Sequence, residues 1–419
     1  MFSIVKKFFG RLYHLLIRYL KYRNYESRIK DIQKEVSAKK KKKVVFFVVS
    51  IGMWKSNALF RRLLSDPEFE PYIISYLYPK DSMAYRENLQ NELRNYFESL
   101  NFPFINGYDF KTNQWFNIKA FKPDIVFYAQ PYNHGYKGFL LENLWENCLF
   151  CYMPYNLNLE SNPVFYNHLY QNICWKLYCA TEYNRDFEKK FLFNKGKRMV
   201  VVGHPLFEEL RNRKDVADVW KIKNKSLKRI IWAPHHSILS TDLLSYSNFL
   251  LIANDMIKLL DHYKDKVQFA FKPHPRLKTK LYSHPDWGKE KTDEYYDYWN
   301  QHSNSILAEG EYIDLFLTSD AMIHDCSSFT CEYLYTEKPV MFISNNNHVD
   351  YLNELGKECY YQHYHGCNID DINDFIQNVI NGYDPNYESR CQFKNKFLCV
   401  NKDKSSDELI VENMKASLK

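Results

Sequence analysis

Apolar residues in this chain gather into short unbroken runs rather than alternating with polar ones. VVFFVVSI (Val44 to Ile51), YIISYLY (Tyr72 to Tyr78), DIVFYAQ, CLFCYM and RMVVVGHP follow one another through the first half. Runs of this length, rich in β-branched and aromatic residues, suit strands buried on both faces of a parallel sheet. The stretches between them are long enough for crossover helices. A polar, lysine-rich interval from Arg211 to Arg229 interrupts the pattern, which then resumes with RIIWAPHHS, VQFAFKPHP, AMIHDCSS and PVMFIS. The pattern predicts an α/β chain with two Rossmann-like domains, 44–210 and 229–400, joined by a linker at 211–228. Residues 1–43 precede them and a tail, 401–419, follows. At 419 residues, two cores are also the expectation from length alone.

Two sequential α/β domains place ligand sites at the carboxyl ends of their strands. In the second domain each such end carries polar groups: His235 and His236 after RIIWAP, Lys272 and His274 after FAF, and Asp325, Ser327 and Ser328 after AMIH. Two prolines stiffen KPHP and hold Lys272 and His274 outside regular structure. A helix predicted from Ser328 would present unpaired N–H groups to an anion such as a phosphate, with Glu332 about one turn on and suited to a ribose diol. The plainer reading is that a serine caps the helix and Glu332 is solvated.

Charge sharpens the picture at one end. The chain carries a net +7, yet residues 1–43 hold 14 Lys and Arg against three acids, leaving the remainder net acidic. Nucleic-acid binding would want basic residues across the folded body, so no nucleic-acid partner is expected. Val5, Phe8, Phe9, Leu12, Leu16 and Tyr19 follow helical spacing with Lys and Arg interleaved, which predicts an amphipathic helix. Its apolar runs are too short to span a bilayer, so it would lie on an anionic membrane surface, with Lys39 to Lys43 adding headgroup attraction. The alternative is a helix packed on the protein body followed by a basic linker. The ten cysteines sit in apolar context, as reduced thiols do. Cys148, Cys151, Cys174 and Cys179 have ligand-like spacing without the surroundings of a zinc knuckle.

GHPLFEEL, IIWAPHHS, FKPHP and, above all, YIDLFLTSDAMIHDCSSFTCEYLYTEKPVMF resemble the CDP-glycerol glycerophosphotransferases that build teichoic-acid-type and related capsular polymers. The resemblance covers roughly Arg198 to Ser344, and the first domain only in layout. It implies a glycosyltransferase-B (GT-B) architecture, two facing Rossmann-like domains with the nucleotide donor held by the second. It implies transfer of glycerol phosphate, or a related alditol phosphate, from a CDP-activated donor to a hydroxyl of a lipid-linked polymer, releasing CMP. That activity belongs at the cytoplasmic face of the cell membrane, peripherally attached.

Position by position, Ser327 and Ser328 match donor-phosphate serines, His274 the phosphate-side histidine, and Glu332 the acidic residue facing the ribose, where Asp is commoner. APHHS replaces an APTWR-type segment, so His235 and His236 join Lys272 in the expected donor grip. Family members often carry a His-Gly pair after a first-domain strand, the histidine serving as base. Here that strand end reads CYMPYNL, whose Tyr152, Tyr155 and Asn156 are candidates for an acceptor site, and the nearby His-Gly is His134-Gly135 after DIVFYAQ. His134 and His274 are therefore the candidate catalytic residues. No DxD-type carboxylate pair borders a strand end in the motif region, so neither a metal nor another cofactor is expected. A nucleotide-sugar glycosyltransferase would need the same donor contacts, and an inactive membrane scaffold could retain the fold.

Overall fold

The computed structural model describes residues 2–130, 134–224, 226–239, 246–344, 348–401 and 403–419, with side chains in the N-terminal helix from Leu15 onward. It divides into two compact units, one formed by the chain up to Asn156 with Asn162–Pro205 and Val400–Lys419, the other by Leu157–Ser161 with Leu206–Cys399.

The first unit is built on a parallel sheet. Its strands are β1 (Lys42–Val48), β2 (Phe69–Ser75) and β3 (Phe104–Ile105), then, after a small antiparallel pair β4 (Tyr108–Asp109) and β5 (Gln114–Trp115), β6 (Ile125–Tyr128), β7 (Leu149–Tyr152), β8 (Lys176–Cys179) and β9 (Met199–Val201). The order β3-β2-β1-β6-β7-β8-β9 reverses direction beside β1. The continuous apolar runs are explained by burial of consecutive residues: Val44 to Val48 and Leu149 to Tyr152 are all buried.

The second unit has its own parallel sheet of β10 (Lys228–Ala233), β11 (Val267–Phe271), β12 (Ser305–Leu307), β13 (Ala321–His324), β14 (Val340–Ile343) and β15 (Tyr364–Gly366), in the order β12-β11-β10-β13-β14-β15. Trp232, Phe271 and Trp299 stack at its centre with ring centroids 5.0–5.4 Å apart. The topological switch falls between β10 and β13, the place where an open α/β sheet leaves a crevice at its carboxyl edge.

Several segments depart from the sequence expectation. The N-terminal helix runs from Phe2 to Ser37. Tyr25, Ile29, Ile32 and Val36 are buried in the first core, so its second half is a packed structural element. Lys39 to Lys43 is solvated only in part: Lys39, Lys40 and Lys41 are exposed, Lys39 pairing with Asp124, whereas Lys42 is buried beside Glu68, and Lys42 and Lys43 already belong to β1. The polar interval after Arg211 folds onto the second unit, where Arg213 makes two bonds to Asp314 at 2.8–2.9 Å and buried Trp220 donates Nε1–H to Thr318 at 2.9 Å. The C-terminal helix Ser406–Ser417 packs in the first unit through Ile410 and Met414, with Arg62 pairing Asp407 and Lys415 pairing Asp66 and Glu68. Gly203 in the GHP motif sits at φ +85°, and a Cβ there would lie 2.8 Å from Ser406 Oγ, so glycine is required on two counts.

A five-residue stretch after β7, Leu157–Ser161, is counted with the second unit. Glu160 bridges Leu352 in antiparallel fashion, the Asn353 N–H donates to Leu159 O at 2.7 Å, and the Ser161 N–H donates to Tyr351 O at 2.7 Å. Asn158 reaches the left-handed region, φ 47°, which asparagine tolerates.

Candidate donor-phosphate site

Three loops at the β10/β13 switch are tied together by one buried carboxylate. Asp325, 2% exposed, accepts the backbone N–H of His235 and that of Asn248, both at 2.6 Å. Asn248 Nδ2 donates in turn to Ile343 O at 2.9 Å, which adds the end of β14. Burial raises the Asp325 pKa to about 7 despite those hydrogen bonds.

On this frame His235, His236 and His274 converge. Their ring centroids lie 4.3 Å (His235 to His236), 4.2 Å (His236 to His274) and 5.1 Å (His235 to His274) apart. Burial, reinforced by mutual repulsion, holds His235 and His274 well below the usual histidine range, so both are neutral at pH 7. Their hydrogen bonds also fix the tautomer. The Ser237 N–H donates to His235 Nδ1 at 3.2 Å, which makes Nδ1 an acceptor, so Ser237 Oγ, which itself accepts the Tyr246 N–H at 2.9 Å, gives its proton to Nδ1 at 2.7 Å. His274 Nδ1 accepts the Arg276 N–H at 3.1 Å. In a neutral ring whose Nδ1 accepts, Nε2 carries the proton. Both rings therefore offer N–H donors, which suits an anion.

The same three residues are, among the described residues, the group able to place three ligand atoms within 4.8 Å of one another. Metal binding through Nε2 would need lone pairs where these hydrogen bonds put protons, so the donor set fits phosphate oxygens better than a cation. Cys148, Cys151, Cys174 and Cys179 are buried thiols, and burial pushes each of them upward in pKa; they form no such group.

The other expected donor residues have partners within the second unit. The helix after HDCSS is short, Phe329–Glu332, before it tightens into a 3-10 turn over Tyr333–Thr336, and Ser328 makes no side-chain cap. A helix dipole therefore contributes little here, and the half-buried hydroxyls of the turn carry the polarity. Ser328 Oγ lies 3.6 Å from Cys326 Sγ, and Ser327 is hydrogen-bonded to Glu160. Lys272 is 6% exposed; its Nζ donates to Gly310 O at 3.2 Å and lies 5.3 Å from the Tyr312 ring centroid. Glu332 is buried and accepts the Tyr312 hydroxyl at 2.5 Å, so it is not the solvated residue of the plainer reading. Tyr312 and Glu160 escaped the sequence reading. Tyr312 opens YIDLF without a distinguishing pattern, and Glu160 lies in a loop of the first half.

In the first unit, the ends of β1, β6 and β7 border a shallow recess lined mainly by apolar side chains, with Lys55, Ser56, Gln130 and Tyr155 at its wall. Lys55 and Gln130 are buried. His204 of the GHP motif is buried with its ring bonded to backbone carbonyls of Pro154 and Tyr155; burial, then Lys55, lower its pKa to about 3, a structural histidine. Tyr152 is a core residue of β7, whereas Tyr155 and Asn156 are half-buried at its end. His134 is exposed, with its ring edge-on to Tyr78 at 5.8 Å. A Cβ on the adjacent Gly135 would lie 2.1 Å from the Tyr76 ring, which accounts for the glycine.

Residues 167–415 match the family model described as CDP-Glycerol:Poly(glycerophosphate) glycerophosphotransferase. Among curated proteins, none matches the sequence. Solved structures share the fold at low identity. A variant of the wall teichoic acid polymerase TagF with CDPG superposes with a TM-score of 0.58 at 14% identity, covering 99% of both chains. The Staphylococcus aureus MnaA–UDP structure gives 0.57 at 15%, covering 90% of this chain and 97% of that one. UDP-GlcNAc 2-epimerase from Neisseria meningitidis gives 0.55 at 13%, covering 89% and 99%. These likenesses bear out the GT-B type of α/β fold.

Proposed function

The chain belongs to the CDP-glycerol:poly(glycerophosphate) glycerophosphotransferase family, and from that membership we propose that it moves glycerol phosphate from CDP-glycerol to a hydroxyl of a teichoic-acid-type or capsular polymer, releasing CMP. The observation that carries the reading is the pair of N–H donors on His235 and His274, with His235 tied by Asp325 to the loop that carries Ser327 and Ser328, inside the matched region.

The acceptor hydroxyl attacks the distal phosphorus of the donor in line. Such a reaction asks the protein for positioning and for charge neutralisation on the phosphoryl oxygens. Neutral imidazole N–H groups supply hydrogen bonds without needing to be charged beforehand. His134 is the proposed base for the acceptor proton, and the concavity at the ends of β1, β6 and β7 is the proposed acceptor side. The direct test supplies CDP-glycerol, CDP-ribitol and UDP-sugars with a short glycerol-phosphate lipid acceptor. CMP release with acceptor extension is expected from CDP-glycerol. UDP release with sugar incorporation would replace attack at phosphorus by attack at an anomeric carbon.

The lipid-linked acceptor gives the N-terminal helix its proposed task. No described helix is long and apolar enough to cross a membrane. Leu15, Leu16 and Leu20 are each about half exposed. At about 100° per residue they span an arc of about 140°, on a different side from the stripe of Tyr25, Ile29, Ile32 and Val36 that packs into the core. Helical spacing thus leaves an apolar face directed away from the packed stripe, suited to the headgroup boundary of an anionic membrane. Of the other positions of the expected apolar face, Tyr19 is 41% exposed with its ring edge-on to Phe193 at 5.6 Å, and Val5, Phe8, Phe9 and Leu12 lie outside the described side chains. Replacing Leu15, Leu16 and Leu20 together by serine is expected to lower co-sedimentation with phosphatidylglycerol vesicles at least tenfold without altering the melting temperature. Unchanged sedimentation would reject the anchor.

A further inference from the structure

Glu160 reaches the donor site from the stretch after β7. It is 8% exposed and is held on both sides, by its bridge to Leu352 and by Asn353 Nδ2, which donates to Asn158 O at 2.8 Å. Its carboxylate shares a hydrogen bond with the Ser327 hydroxyl and accepts backbone N–H groups of Leu159 and Glu160 itself. Burial is the larger influence and raises its pKa. Among the described residues, Tyr246, stacked 4.8 Å from His348, and Tyr351 are the titratable neighbours on the facing segments, with exposed Asp350 on the same turn as Tyr351. Asp325 and Cys326 precede Ser327, the former with its carboxylate turned to His235 and Asn248.

A serine hydroxyl has one proton to give. When Glu160 is ionised it takes that proton, and Ser327 then shows only lone pairs to a phosphoryl oxygen. When Glu160 is protonated it donates to Ser327 Oγ, which leaves the Ser327 proton for a third group. Resting on the donor reading above, we propose that Glu160 is the positioning residue of the phosphate site: it decides which way the Ser327 hydroxyl points, and Ser327 donates to the diphosphate only when the Glu160 carboxyl holds a proton. The proton comes from solvent as the donor enters, and no covalent bond other than that O–H is made. An arriving dianion favours this state, because like charges disfavour an ionised carboxylate beside it. Donor binding and proton uptake are thereby linked, and each strengthens the other.

The sign follows directly. Affinity is full at low pH and falls as pH rises through the Glu160 titration, by as much as tenfold per unit. The diphosphate diester keeps both its charges throughout this range and adds no slope of its own. Calorimetric titration of the full chain with CDP-glycerol from pH 5.5 to 8.5, in two buffers of different ionisation enthalpy, reads both quantities. The wild-type chain is expected to take up a fraction of a proton on binding and to weaken with rising pH. Glu160→Gln, which keeps a permanent N–H donor toward Ser327 Oγ, is expected to bind at least as tightly at pH 8 and to lose that share of proton uptake. Ser327→Ala is expected to bind more weakly with the same flattened slope. Asp325 remains in every variant, so its contribution cancels in the comparison. A Glu160→Gln chain with the wild-type slope and proton uptake would overturn the proposal while leaving the donor assignment intact. Binding of UDP-N-acetylglucosamine but not CDP-glycerol, with the Glu160-dependent slope, would retain the proposal and replace the donor. Binding of neither would remove the donor reading and this inference with it.

Discussion

Replacing His274 by alanine is expected to lower kcat for CDP-glycerol about 10²–10³-fold, the range seen when one preorganised donor to a developing oxyanion is removed. The expectation rests on how that ring is held. Its backbone N–H donates to Pro234 O at 3.0 Å and its Nδ1 accepts from Arg276, so the loop fixes both the position of the ring and the nitrogen that bears the proton. His274→Gln places an amide N–H close to where Nε2–H lies and should recover part of the loss, whereas His274→Leu, similar in bulk, should recover none. A chelator separates this role from metal ligation. If the cluster works as N–H donors, wild-type turnover is unchanged by prolonged treatment with EDTA. Loss of activity restored by a divalent ion would instead assign His235, His236 and His274 as ligands and reverse the tautomer argument. Equal kcat values for His274→Ala and wild type would place the phosphate contacts elsewhere.

The strands and their order along the chain were legible because each is a run of consecutive buried residues, and no other element produces VVFFVV or RIIWA so economically. The strand-end motifs were legible for the same reason: polar residues that interrupt such runs must be held in loops at the sheet edge. Side-chain direction was less accessible. Glu332 reads as solvent-facing one turn into a helix, yet Tyr312, 20 residues earlier, turns it inward. Lys272 reads as a phosphate partner, and its ammonium group also donates to carbonyls of the loop after β12. Such pairings depend on tertiary neighbours that no local period records. The full N-terminal helix was in fact signalled, by Tyr25, Ile29, Ile32 and Val36 at spacings of four, three and four. Glu160 was the least accessible, because a five-residue stretch joining a distant bridge has neither periodicity nor composition to mark it.

The largest stability effect is expected at Asp325. Substitution by alanine leaves the backbone N–H groups of His235 and Asn248 without their acceptor in a buried place, at about 1–3 kcal/mol each. The second unit should therefore lose about 2–6 kcal/mol, measured by chemical denaturation at pH 5, with the β10 and β13 loops released together. The pH dependence identifies the carboxylate as the cause. Its folded pKa, about 7, stands above the unfolded value of about 3.9, so the folded chain binds the proton more tightly. The stability contributed by that proton is complete below the unfolded value and is lost as pH rises through about 7, amounting to about 2–3 kcal/mol between pH 5 and pH 8. Wild type and Asp325→Ala should accordingly draw closer as pH rises, the variant lacking this component of the slope. Parallel stability curves for the two chains over that interval would mean that Asp325 stays ionised throughout, held by its two N–H donors more strongly than burial opposes them. In that case the three loops are tied by a charged rather than a protonatable group, and the difference between the chains should be equally large at every pH in the interval.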